Sequence, residues 1–136
     1  MLKLVLDTNT MVSGLIWRGN EFQLLEKVES GEAIMFVSNE IIRELNIVMQ
    51  RPKIQKYLME SGSSAEQLIE KIVRISESIV PDIEEEICRD KKDNKFIECA
   101  LAANSDYIVS GDEDLLSMKE FRNIKIVKTS QILKLI

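Results

Sequence analysis

Apolar residues recur along this chain in two periods, and each change of period marks a boundary. Leu4-Val5-Leu6 is a continuous apolar run without alternation, the pattern of a parallel strand covered on both faces. It stops abruptly at Asp7-Thr8-Asn9-Thr10, which predicts a helix over residues 10–17 with Asp7 as its N-cap. Residues 21–30 carry Phe22, Leu25 and Val28 at helical spacing and end at Gly31. Residues 33–37 read as a second strand, closed by Ser38 as the cap of a helix from residue 39 to about residue 50. On that helix Ile41, Ile42, Leu45, Val48 and Met49 share one face. Glu44 falls at the edge of the stripe, whereas Glu40 and Arg43 point further toward solvent. Arg51-Pro52 ends it, because the residue before proline is pushed out of the helical region.

Residues 53–80 read as wholly helical with one turn at 61–64. Ile54, Tyr57 and Leu58 give a short apolar face; Leu68, Ile72, Ile75 and Ile79 give a longer one, with Ser64 and Gln67 as a capping box. Glu84-Glu85-Glu86 reads as an exposed acidic connection. Phe96, Cys99, Ala100 and Ala103 then mark a helix with one buried stripe, and Tyr107-Ile108-Val109 a short buried strand. Ser110-Gly111-Asp112 emerges at the carboxyl end of that strand, where open α/β sheets form their crevices. Residues 124–127 predict a last strand, and residues 130–136 a terminal helix burying Ile132, Leu133 and Ile136. The order is that of an α/β sandwich around a mostly parallel sheet.

Composition narrows the chemistry. The 136 residues contain 45% hydrophobic residues, Gly 5 and Pro 2, with no repeat or low-complexity run, so one domain over 1–136 is expected. Cys88 and Cys99 lack metal-ligand or redox spacing, and MLKLVL is too short to span a membrane; a reduced, cytoplasmic protein is expected. The absence of histidine excludes histidine-based catalysis, and two cysteines alone cannot build a zinc tetrad. A net charge of -5 argues against strong non-specific binding to nucleic acid, so a polyanion needs a basic patch or a bound cation. Arg43, Arg51, Lys53 and Lys56 could offer phosphate contacts, although a solvated face accounts for them as well.

Four acids sit where the predicted elements converge: Asp7 after the first strand, Glu44 beside the second, Asp93 before a helix and Asp112 after the strand that follows it. Singly, Asp7 is explained as a helix cap and Glu44 as a surface glutamate. Jointly they would repel, and a divalent cation relieves that repulsion. Oxygen-only donors suit magnesium or manganese.

The segments VLDTNTMVSGLI at 5–16, SNEIIREL at 38–45 and RDKKDNKFIECALAANSDYIVSGDEDLL at 89–116 together resemble the PIN-domain family, close to its VapC-type ribonuclease toxins. The resemblance covers essentially the whole chain. It implies a PIN-like three-layer α/β/α sandwich with Asp7, Glu44, Asp93 and Asp112 as the catalytic metal ligands and Asp114 as an additional one. It also implies an Mg2+- or Mn2+-dependent endoribonuclease acting on RNA, the toxin of a toxin-antitoxin pair, with an antitoxin as partner and a homodimer as its assembly. Thr8, Asn9 and Ser38 are expected to hydrogen-bond carboxylates or water. Lys91, Lys92 and Lys95 would steer RNA locally or simply be solvated. Two alternatives remain: a PIN-fold binding or scaffold protein with little activity, and a phosphatase forming an aspartyl-phosphate at Asp7. The pattern of haloacid-dehalogenase-like phosphatases has a second Asp where this chain has Asn9.

Overall fold

The computed structural model describes residues 1–82 and 93–136, so the acidic run at Glu84 to Glu86, Cys88, Lys91 and Lys92 lie outside the described residues. Strands β1 (Leu2–Leu6), β2 (Ala33–Val37), β3 (Glu77–Ser78), β4 (Tyr107–Val109), β5 (Glu120–Phe121) and β6 (Ile124–Val127) form one sheet in the order β3-β2-β1-β4-β6-β5. All neighbours run parallel except β5, which is antiparallel to β6. Helices α1 (Thr8–Ile16), α2 (Asn20–Glu29), α3 (Asn39–Met49), α4 (Pro52–Ser61), α5 (Ala65–Ile75), α6 (Asn94–Ala103), α7 (Glu113–Leu116) and α8 (Thr129–Ile132) connect them. The mostly parallel α/β sandwich expected from the sequence is the architecture found.

The central position of β1 explains its unalternating sequence, because Leu4, Val5 and Leu6 are all buried between helices on both faces of the sheet. Its register with β4 sets Leu6 beside Val109, and the Asp7 amide donates to the Val109 carbonyl at 3.1 Å. Asp7 and Ser110 therefore leave the sheet side by side. Asp7 Oδ1 accepts from the Thr10 amide at 2.9 Å, which starts α1 at Thr8, two residues before the expected boundary. On α3 the helical phase is as the sequence predicts, with Glu44 half-buried and Glu40 and Arg43 exposed. Ser38 Oγ caps this helix by accepting from the Ile41 amide at 3.3 Å. Cys99 is fully buried on α6, and desolvation pushes its thiol up to about 12, so it is a packing residue and not a nucleophile.

Two expectations are corrected. The region 53–80 is not wholly helical: α5 ends at Ile75, Ser76 turns extended, and Glu77–Ser78 pairs with β2 at the sheet edge. Ile79 therefore lies off the helix, its amide donating to the Val37 carbonyl at 2.9 Å; strand pairing there overrides local helical preference. The terminal helix stops at Ile132, and the next amides bond to carbonyls three residues back, Lys134 to Gln131 and Leu135 to Ile132. Ile132 is fully buried and Leu135 is exposed, so one turn suffices to anchor the end. Among the described residues no helix is long and apolar enough to cross a membrane.

Gly14 fixes how closely α1 and α2 approach. A Cβ at this position would lie 2.6 Å from Leu25 Cδ1 and 2.9 Å from the Glu21 carbonyl oxygen, and the backbone oxygen cannot swing away. Gly14→Ala is expected to cost about 1–3 kcal/mol despite alanine's better helix propensity. Urea denaturation of the two proteins checks this, and an unchanged midpoint would mean that the helices separate freely.

Candidate metal centre

The carboxyl ends of β1 and β4 deliver two acids into one place. Asp7 is buried, 4% exposed, and both of its carboxylate oxygens are engaged: Oδ1 by the Thr10 amide and Oδ2 by the Ser110 hydroxyl at 2.5 Å. The same hydroxyl accepts from the Asp112 amide at 2.9 Å. Ser110 thus ties the first acid to the backbone of the fourth. The Asp7 carboxyl is raised above its ordinary value, chiefly by burial; the bonds from Ser110 and Thr10 oppose this, and the nearby charge of Asp112 adds a small further rise.

Asp93, Asp112 and Asp114 each offer an oxygen, and these oxygens lie within 4.8 Å of one another. Local structure places each of them. Asp112 caps α7 by accepting from the Asp114 amide at 2.9 Å, which draws Asp114 into the first turn beside it. Asp93 is buried immediately before α6 but makes no side-chain capping bond there, so helix capping does not account for it. The donor set fits a hard divalent cation. An octahedral magnesium with bonds of about 2.0–2.1 Å needs ligand oxygens no more than about 4.2 Å apart, within reach of modest side-chain rotation.

Of the five acids singled out from sequence, three form this cluster, Asp7 adjoins it through Ser110, and Glu44 lies outside it. Glu44 is held by Lys95, whose Nζ sits 2.5 Å from Oε2, the two side chains being 11% (Lys95) and 29% (Glu44) exposed. Lys95 also stacks over the Phe96 ring. Solvation was one expectation for this lysine, and its side chain is instead largely buried as the counter-ion of Glu44. Thr8 is buried and, among the described residues, its hydroxyl has no hydrogen-bond partner, while Asn9 is exposed beside the cleft. Ser110 was missed as a site residue; its place in Ser110-Gly111-Asp112 was the available signal.

A cleft of about 460 Å³ opens over Asp112 and Ser110, lined also by Asn9 and Ser13 of α1 and by Lys128. Residues 3–114 match the family described as the PIN domain. The chain belongs to the PIN domain family. Members of this family are generally nucleases that use divalent metals, and the acidic cluster stands where the two central strands end. The uncharacterized protein MJ1680 of Methanocaldococcus jannaschii is 30% identical over 120 residues, covering 88% of this chain and 76% of that protein. Among solved structures, VapBC2 from Rickettsia felis bound to a DNA fragment from its promoter has a similar fold. The TM-score is 0.63 at 14% identity, over 92% of this PIN chain and 97% of that chain.

The Lys95 pair gives a stability test. Glu44→Gln removes the carboxylate that the largely buried Lys95 ammonium pairs with and is expected to cost about 1–3 kcal/mol. Glu40→Gln, at an exposed position on the same helix, should stay within about 0.5 kcal/mol. Guanidinium unfolding of both variants decides, and equal midpoints would show that Lys95 finds other partners.

Proposed function

We propose that this PIN-domain chain is a metal-dependent endoribonuclease that hydrolyses RNA phosphodiester bonds as the toxin of a toxin-antitoxin pair. The observation that carries this reading is the convergence of Asp93, Asp112 and Asp114 at the carboxyl edge of the sheet. These three would hold Mg2+ or Mn2+, with Asp7 and Glu44 assigned to the same centre from the sequence pattern. A bound divalent cation supplies Lewis-acid polarisation of a phosphoryl oxygen and activation of a water. Ser110 orients Asp7 and the Asp112 backbone together, and Lys95 holds Glu44. Lys128, which lines the same cleft, would offer a positive charge to a phosphate. With no histidine in the chain, a nucleophile drawn from solvent accords with the donor set better than a side-chain nucleophile does. The net charge of -5 gives the cation a second purpose, because it screens acids that would otherwise repel RNA.

The fold shared with VapBC2 supports the toxin role, and an antitoxin is then the partner. Cleavage of single-stranded RNA is expected with magnesium or manganese and not in excess EDTA. Undiminished cleavage in EDTA overturns the mechanism. No cleavage with any divalent metal would leave the scaffold alternative. Co-purification with the product of an adjacent small reading frame tests the pairing separately.

A further inference from the structure

A second cavity, about 310 Å³, lies between α1 and the start of α4. Trp17 and Tyr57 line it, 49% and 38% exposed, their ring centroids 6.1 Å apart and their planes tilted by 54°. The Tyr57 hydroxyl donates to the Ile16 carbonyl at 2.9 Å, which fixes the ring against the end of α1. Arg51 and Lys53 also line the cavity, and among the described residues neither is in an ion pair. Asn9 and Ser13, one helical turn apart, line this cavity and the carboxylate cleft alike. The two spaces therefore adjoin along α1, where Asn9 to Trp17 spans about 12 Å.

An apolar pocket alone would suit many partners. Here aromatic faces, two cations with no ion pair among the described residues and continuity with the cleft over Asp112 occur together. That combination of stacking platform and phosphate contacts is how single-stranded nucleic acid is held without sequence readout. Resting on the nuclease reading above, we propose that the Trp17 and Tyr57 pocket is a docking subsite for an unstacked base of single-stranded RNA. Arg51 and Lys53 contact its flanking phosphates, and the strand runs past Asn9 and Ser13 into the carboxylate cleft. A duplex is disfavoured, because its bases are already stacked and paired.

Trp17 is the chain's single tryptophan, so its emission reports on the subsite alone. Titration with a short oligouridylate in EDTA should quench it, and a blunt RNA duplex of the same length should not. By anisotropy of labelled RNA, Trp17→Ala should weaken binding about tenfold and Trp17→Phe should retain most of the affinity. Arg51→Gln and Lys53→Gln should each reduce the slope of log K against log salt by about 0.7. Unchanged tryptophan emission at saturating RNA, unaltered affinity in Trp17→Ala, or no oligonucleotide binding at all overturns the proposal; a pocket serving a protein partner would give those results. Cleavage with a silent Trp17 removes the subsite and keeps the nuclease. Quenching without cleavage in any metal keeps the subsite and removes the nuclease.

Discussion

Asp112→Asn is expected to lower metal-dependent cleavage by at least about 100-fold while leaving the fold intact. The floor comes from a comparison: losing a group that merely orients a metal ligand already costs about 10–100-fold, so losing a ligand should cost more. The fold survives because Asn caps a helix about as well as Asp, and the cap of α7 is the structural bond that the Asp112 side chain makes to the Asp114 amide. Asp93→Asn should lose as much, since Asp93 offers one of the three oxygens that come together in the cluster. Ser110→Ala should fall between, at about 10–100-fold, with weakened manganese affinity measured by titration calorimetry and with rescue in Ser110→Thr. Wild-type activity in Asp112→Asn, with circular dichroism unchanged, would remove Asp112 from the centre.

How far the centre could be read from sequence depended on the range of the contacts that build it. The meeting of Asp7 and Asp112 at one sheet edge was legible because a strand end is a local feature: apolar runs stop at Asp7 and at Ser110, and a parallel sheet brings such ends together. The half-buried position of Glu44 was legible because the period of α3 fixes which residues border its buried face, whereas its membership of the centre is an expectation from the sequence. The ion pair of Glu44 with Lys95 was not legible, because that partner lies on α6 and only the packing of two helices brings them together. The Ser110 bond to Asp7 joins positions 103 residues apart. The short edge strands were invisible for the same reason. Glu77-Ser78 and Glu120-Phe121 carry little strand character and become strands through partners already in the sheet.

Asp7→Asn should change stability in opposite ways with and without metal. In the metal-free protein, burial raises the Asp7 carboxyl above the ordinary 3.8. Below that value both folded and unfolded chains carry the proton, and Asp7 contributes no penalty. As pH rises through it the unfolded chain loses its proton first, so stability falls until the folded carboxyl has also ionised and stays lower thereafter. Asn has no such slope; its carbonyl can still accept from Thr10, and its amide can donate to the Ser110 oxygen. In EDTA the variant should therefore match wild type at the acid end and equal or exceed it at neutral pH. Adding magnesium or manganese reverses the order. Wild type gains RT ln(1 + [L]/Kd), about 2.7 kcal/mol at a hundredfold excess over Kd, whereas a variant lacking one ligand should gain little. Paired thermal melts across pH, in EDTA and then in metal, separate the two effects because every other carboxylate is common to both proteins. A difference between them that does not vary with pH would refute the burial argument, and an identical metal response would take Asp7 out of the centre, leaving it a helix cap.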